Sequence, residues 1–416
     1  MTNLLRRRIW AAAALAGILG AGLTLGQTAD AQDGAAFYKG KTVTYVVATG
    51  AGGGYDFYGR LVARGMEKYL PGSTFVVKNV PGAGHIIGAN LIYTAKPNGL
   101  TVGIFNTGLI FTQLLQRKGV RFDLAKMTWI GKAASDPRVL MVAAQTDLKT
   151  LEDLRTAKTP VKFSSSGVGS SGYNDTMMLA KGLKWNMKII LGYDGTDSEL
   201  AMRRGEIDAA VSSLSSAELF AKNGYGRILV QIGGKKNNNW PLLSDVVTDK
   251  DAKAIAALIG SQAELARFTA GPPAIPADRT AALRAAYRKA MEDEQIQTQA
   301  AKADRPIEPA YGEDVANMVK AALDQSPETI ALVSSILNIK PPSNKTDTKL
   351  ISVSPDGRNI SFMHGKDKIE SKVSGSRTKI KVGGSDSNRK ALKAGMDCTI
   401  DYKTGGNNEP KTIDCK

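Results

Sequence analysis

From residue 41 to about 337, short runs of β-branched and other apolar residues alternate with longer stretches of helical spacing, the pattern of a layered α/β fold with parallel strands. Runs at 43–48, 74–78, 101–105, 139–143, 161–165, 188–191, 207–211 and 228–232 predict strands. Behind the first of them Tyr58, Leu61, Val62, Met66 and Tyr69 recur at the spacing of one helix face, with Arg60, Arg64 and Lys68 mostly elsewhere. This predicts a helix from near Asp56 to just before Pro71-Gly72. Beyond residue 251 the pattern predicts helices alone, at 252–258, 278–293, 295–303, 313–324 and 328–337. Lys340-Pro341-Pro342-Ser343-Asn344 then breaks the periodicity and reads as a linker. After it, alternation at 350–353, 359–363, 369–373, 378–382 and 398–402, set between Gly- and Asn-rich turns, predicts a small all-β domain.

At 416 residues the chain is too long for one compact core, so two lobes and an appendage are expected. Hydrophobic residues make up 43% and charged residues 23%, which excludes a disordered chain. The formal charge of +16 favours an anionic partner, whether nucleic acid, membrane surface or acidic small molecule. Arg6-Arg7-Arg8, an apolar run over 9–25 and Ala29-Asp30-Ala31 predict a signal peptide over 1–31, cleaved near Ala31, and hence a periplasmic protein. The alternative is a retained anchor, for which the run falls short of the ~20 residues of a span. Cleavage removes three Arg and Asp30 and leaves 52 basic against 38 acidic residues, +14, so the basicity belongs to the mature chain.

The basic residues are scattered over helix faces among acids, so no nucleic-acid partner is expected. Arg377, Lys379 and Lys381 share one strand face, either a solubilising surface or a contact for an anionic one. Cys398 and Cys415 are the only cysteines, and in an exported chain they predict a disulfide closing an 18-residue loop. His85 and His364 lie far apart in sequence, so neither a metal cluster nor a thiol–imidazole pair is expected, and no cofactor.

The chemistry is expected in the loops that follow the strands. Gly50-Ala51-Gly52-Gly53-Gly54-Tyr55-Asp56, Pro81-Gly82-Ala83-Gly84-His85 and Asn106-Thr107-Gly108 are small-residue turns. So are 164–172, Ser-Ser-Ser-Gly-Val-Gly-Ser-Ser-Gly, and Tyr193-Asp194-Gly195-Thr196. In open α/β sheets ligands bind beyond the carboxyl ends of strands, where glycine admits close backbone approach and helix N-termini offer unpaired N–H groups to an anion. Asp56 reads equally as a helix N-cap, Tyr55 and Tyr173 as pocket walls or helix packing, and His85 as a solvated loop residue. Gly167-x-Gly169-x-x-Gly172, with Asp194 22 residues beyond the last glycine, also satisfies the dinucleotide-binding spacing, so a nicotinamide-dependent enzyme is a rival reading. No Gly-x-Ser-x-Gly nucleophile elbow surrounds Ser170 or Ser171.

Gly52-Gly53-Gly54-Tyr55-Asp56 with Arg60 and Ala63, Asn79-Val80-Pro81-Gly82-Ala83-Gly84 with Gly88-Ala89-Asn90, and Pro97-Asn98-Gly99-Leu100-Thr101 resemble the Bug-type receptors of tripartite tricarboxylate transporters. Ser165-Ser166-Gly167-Val168-Gly169, Tyr193-x-Gly195 and Arg204-Gly205-Glu206-Ile207-Asp208 resemble that family's later motifs, so the resemblance spans about residues 36–340. It implies a two-lobed, periplasmic-binding-protein-like clamshell carrying the small C-terminal all-β domain. Lobe 1 would be 36–135 with 251–340 and lobe 2 would be 136–250, followed by a linker at 341–348 and the β domain at 349–416.

The implied function is that of a monomeric, non-enzymatic receptor that captures a small carboxylate-bearing metabolite for the membrane permease subunits of such a transporter. Carried over by position, the ligand contacts are Gly53, Gly54, Tyr55 and Asp56 on one lobe and Ser166, Gly167, Gly169, Ser170 and Ser171 on the other. Ala83, Gly84, His85, Asn106, Thr107, Tyr193 and Asp194 would line the cleft. His85 stands where the family commonly has a small residue, Tyr173 where histidine is common and Asp194 where lysine is usual. These departures admit a ligand with a cationic or hydroxylated end. The alternatives are an exported enzyme or nucleotide-binding protein using the Gly167–Gly172 loop, or a surface-interaction protein acting through the basic tail.

Overall fold

The computed structural model describes residues 34–236, 239–339, 343–403 and 408–416. The predicted signal peptide lies outside them. Two compact units result, one running to Leu109 and then from Gly119 to Lys320, the other joining Ile110–Lys118 to Ala321–Lys416.

The first unit holds strands β1 (Thr42–Val47), β2 (Thr74–Asn79), β3 (Thr101–Ile104), β4 (Thr128–Lys132), β5 (Arg138–Ala143) and β6 (Val161–Ser165). They are followed by β7 (Met187–Leu191), β8 (Ala209–Ser213), β9 (Gly226–Ile232), β10 (Phe268–Gly271) and β11 (Ala310–Tyr311). Its principal helices are α1 (Gly54–Tyr69), α2 (Ile86–Tyr93), α3 (Ser171–Leu183), α4 (Asp197–Arg203), α5 (Lys250–Gly260), α6 (Ala277–Glu292) and α7 (Glu294–Lys302).

Two sheets form, with strand orders β11-β4-β10-β3-β1-β2 and β7-β6-β8-β5-β9. Within each, three strands are parallel, β2-β1-β3 and β7-β6-β8, so their carboxyl ends point the same way. The expectation of parallel strands throughout is corrected at β5, which runs antiparallel to both β8 and β9. The expectation of helices alone after 251 is corrected too. β10 and β11 are strands, both antiparallel to β4, and their Phe-Thr-Ala-Gly and Ala-Tyr sequences are too short to show a period. Helix α5 packs on α3 and β9, and β10 is where the chain rejoins the first sheet, later than residue 251.

Helix α1 buries Tyr58, Leu61, Val62 and Met66 against this first sheet and α6, as its spacing requires, and leaves Arg60, Arg64 and Lys68 outside. Its end is tied to α7 by Asp293. That carboxylate caps α7 by accepting the Ile296 N–H at 3.0 Å, and it also accepts from Lys68 Nζ and Tyr69 Oη, both at 2.6 Å. The Lys68 and Tyr69 bonds hold the acid well below the usual carboxylate range. A depressed folded-state pKa contributes stability above the unfolded value and loses it as pH falls through the folded one. Asp293→Ala should therefore lower the unfolding free energy by about 1–2 kcal/mol at pH 7. In urea titrations the gap to the wild type should close as pH falls below about 4.

The second unit carries a seven-stranded sheet whose core includes Leu350, Phe362, Ile369, Ile400, Tyr402 and Ile413. Cys398 and Cys415 face each other across two paired strands and form the expected disulfide. The linker expected at 341–348 is corrected: strand Ser343–Val353 starts within it and pairs over 343–349 with 397–403. Its first half, Ser-Asn-Lys-Thr-Asp-Thr, is polar on both faces, which hid it from a hydrophobic period.

Candidate functional site

Loops at the carboxyl ends of the parallel strands converge on one cavity of about 130 Å³, small beside the roughly 300–1,000 Å³ of drug-sized sites. From the first sheet come Thr49, Gly53, Gly54 and Tyr55 after β1 and His85 after β2. From the second come Ser166, Ser170 and Ser171 after β6, Tyr193, Asp194 and Gly195 after β7, and Ser212, Ser213 and Ser216 at the end of β8.

Nine of the expected contacts therefore share one wall: Gly53, Gly54, Tyr55, His85, Ser166, Ser170, Ser171, Tyr193 and Asp194. Asp56, Ala83, Gly84, Asn106, Thr107, Gly167 and Gly169 do not line it. Asp56 is buried beneath the loop, where it accepts from the Gly52 N–H, Arg60 Nε and Asn79 Nδ2 at 2.9–3.1 Å, so both oxygens hold the turn. Burial raises its pKa, but these bonds from Arg60, Gly52 and Asn79 outweigh it and hold the carboxyl below the usual range. Thr107 borders a smaller adjoining cavity with Tyr55 and Arg267. Asn106 Oδ1 accepts from the Gly108 N–H at 2.8 Å and the Ser171 N–H at 3.3 Å, and its Nδ2 meets His85 Nδ1.

Gly84 and Gly167 form a seam between the two sheets' loops. A Cβ on Gly84 would stand 2.4 Å from the Val168 carbonyl and 2.8 Å from the Ser170 nitrogen, and one on Gly167 would stand 3.0 Å from the Gly84 nitrogen. His85 and Asp194 cross the same seam, with Nε2 3.3 Å from Oδ1. Burial works against the Asp194 anion, but His85 and the N–H groups of Gly195 and Gly50 hold its carboxyl below the usual range.

Sequence reasoning missed the cations. Arg138 lines the cavity and donates through Nε to Asp175 Oδ2 at 2.8 Å and through Nη2 to the Val211 carbonyl at 2.8 Å. Burial pushes the Asp175 carboxyl up to about 6, with Arg138 opposing the shift. Arg267, 2% exposed, pairs with Asp136 and lies 4.3 Å from the Tyr55 ring centroid. Its guanidinium occupies the space a Cβ on Gly54 would take. No sequence signal could place Arg267, because its neighbours are tertiary. The run Ser212-Ser213-Leu214-Ser215-Ser216 did carry a signal, since it repeats the serine-rich strand end seen at 164–166.

For a dinucleotide the arrangement is unsuitable. The Gly167–Gly172 turn packs against Gly84, its Ser171 N–H is already engaged by Asn106, and Asp194 is paired with His85. Among the described residues no cluster of His, Cys, Asp and Glu is arranged to hold a metal ion, and no helix is long and apolar enough to cross a membrane.

Residues 58–336 match the sequence model of the family described as tripartite tricarboxylate transporter family receptor. A UPF0065 protein from the tcbD-tcbE intergenic region of Pseudomonas sp. strain P51 is 27% identical over 261 residues, 61% of this chain and 74% of that protein. Among solved structures, the periplasmic binding protein BugD matches with a TM-score of 0.61 at 17% identity, covering 73% of this chain and 99% of that one. MatC from Rhodopseudomonas palustris, solved with bound malate, matches with a TM-score of 0.59 at 20% identity, covering 71% of this chain and 99% of its own. These likenesses establish the two-lobed periplasmic-binding-protein fold, here with a β-rich C-terminal region added.

Proposed function

Since the chain belongs to the receptor family of tripartite tricarboxylate transporters, we propose that it is an exported, periplasmic and monomeric receptor that takes a small carboxylate-bearing solute into this cavity and presents it to the permease subunits of such a transporter. The observation that carries the reading is the convergence of strand-end loops from both sheets on one cavity walled by hydroxyls, loop glycines and Arg138. MatC's bound malate is a carboxylate of suitable size. Ligand contacts divided between two lobes favour the closed arrangement through differential affinity, the usual basis of clamshell capture.

A thermal-shift screen of the full chain against small organic acids tests this. A bound acid at about a hundredfold excess over its Kd contributes about 2.7 kcal/mol, enough to raise the melting temperature by roughly 3–5 °C. No stabilisation by any acid in the screen would end the reading. With a ligand in hand, Arg138→Met should weaken binding about tenfold through loss of one charge-assisted contact.

Asp175 adds a pH dependence. Its folded pKa lies above the ordinary aspartate value, so the native state takes up a proton as pH falls through about 6, and this group's penalty on stability falls with it. Arg138 then loses its counter-charge and attracts a ligand carboxylate more strongly. Calorimetric titrations at pH 7 and pH 5 should show a tightening component in the wild type that Asp175→Asn removes; an identical pH profile in the variant would refute the coupling.

A further inference from the structure

The small β domain carries charge that the receptor reading leaves unused. Residues 343–416 hold 15 Lys and Arg against 9 Asp and Glu, net +6, whereas the much longer stretch 32–342 nets +8, from 37 against 29. The excess does not lie on the row of Arg377, Lys379 and Lys381. Arg377 pairs with Glu409 at 2.8 Å, and Lys381 stands in register between Asp386 and Asp414. Lys349, Lys366 and Lys368 are paired as well, with Asp397, Asp324 and Glu370.

The surplus gathers at one end of the domain, where three chain segments meet. Arg358 closes the turn at 354–358, and its carbonyl accepts the Val373 N–H at 2.7 Å, which sets Lys372 opposite Asn359. Arg389 lies against the same turn: a Cβ on Gly357 would overlap its carbonyl, and its Nη1 is 3.5 Å from the Val373 carbonyl. Lys390 follows it. Arg358, Lys372 and Lys390 are exposed and Arg389 is half-buried, and none of the four forms an ion pair among the described residues. Asp356 shares this end, its Oδ1 accepting from Ser354 Oγ at 2.7 Å and the Arg358 N–H at 3.0 Å. Four cations therefore stand against one acid. Exposed cations carried on turns suit an extended anionic surface. They do not suit nucleic acid, because Phe362 and Tyr402, the only Phe, Tyr or Trp residues of 343–416, are fully buried and offer bases nothing to stack on.

We propose that this end of the β domain docks on the anionic phospholipid surface of a membrane through Arg358, Lys372, Arg389 and Lys390. The docking goes beyond the receptor reading and does not depend on which solute is bound. For an exported receptor it keeps the chain beside the membrane that holds a permease, by contacts weak enough to be reversible.

The test sediments the full chain with vesicles of phosphatidylcholine alone and of phosphatidylcholine with about one-third phosphatidylglycerol, each at low and at physiological salt. The expected result is partition to the anionic vesicles only, weakened by salt and not displaced by free glycerophosphate at matched phosphate concentration. Lys372→Gln combined with Lys390→Gln should weaken that partition about 25-fold, about fivefold for each cation. Lys158→Gln combined with Lys181→Gln removes the same charge from exposed positions of the first unit and should leave it within about twofold of the wild type. Equal partition to both vesicles, displacement by glycerophosphate, tighter binding to duplex DNA, or equal losses in the two double variants would each overturn the proposal. None of these outcomes bears on the solute screen, so the receptor reading stands or falls separately. The single variants Lys372→Gln and Lys390→Gln, about fivefold each, decide the matter if the pair folds poorly.

Discussion

Replacing Arg267 by methionine should destabilise the protein by about 3–5 kcal/mol, the range for removing one partner of a buried ion pair. Arg267 is 2% exposed and Asp136 is 5% exposed, so neither charge can recruit bulk water when the other is lost. Asp136 also accepts from the Ser215 N–H at 3.2 Å and Ser215 Oγ at 2.8 Å, so its carboxyl stays fixed in place beside the space Arg267 leaves. The guanidinium is further flanked by Tyr55 and Tyr58, 4.3 and 5.3 Å from the ring centroids, and these cation–π contacts vanish with it. Urea titrations of Arg267→Met, Asp136→Asn and the double variant measure the effect and its origin. The double variant should recover part of the loss, because the stranded carboxylate is then gone. A single-variant cost below 1 kcal/mol would show that the pair is not what holds Tyr55 and the Gly53-Gly54 turn beneath the cavity.

This pair also marks the boundary of what the amino-acid sequence discloses. Helix α1 was legible because one local pattern, Tyr58, Leu61, Val62 and Met66, is enough to specify which side is buried. Loop positions such as Gly53, Ser170 and Asp194 were legible because the carboxyl ends of parallel strands are where such sheets bind ligands. Arg267 was illegible for the opposite reason. It sits 131 residues from Asp136 in a stretch with no period, and nothing local separates it from a solvated arginine. The same limit explains Asp56, Asn106 and Thr107, which had the residue type and loop placement of ligand contacts but are engaged by the protein's own backbone or lie beside the cavity. Local chemistry nominates a loop; only the three-dimensional arrangement says which atoms remain free for a guest.

Gly84→Ala tests whether the two sheets' loops must meet for capture, and it should weaken ligand affinity by roughly one to two orders of magnitude. The residue sits at φ 61°, so alanine there carries left-handed strain of about 1–2 kcal/mol in open and closed forms alike. That strain lowers stability without biasing closure. Under the proposed capture by closure, the second effect falls on the form in which the two loops meet, where the methyl group would stand 2.4 Å from the Val168 carbonyl and 2.8 Å from the Ser170 nitrogen across the seam. Both neighbours are backbone atoms on the turn that leads into α3, so they cannot swing aside as a side chain would. Overpacking of this kind costs about 1–3 kcal/mol, and a penalty confined to the closed state multiplies the apparent Kd by the matching factor, up to roughly 150. Gly224→Ala is the control, since φ there is 76° but nothing lies within 4 Å of the added carbon. It should lose comparable stability and keep the wild-type affinity. Equal affinities in Gly84→Ala, Gly224→Ala and the wild type would mean that the solute is held without the β2 and β6 loops meeting, and capture by closure would have to be given up.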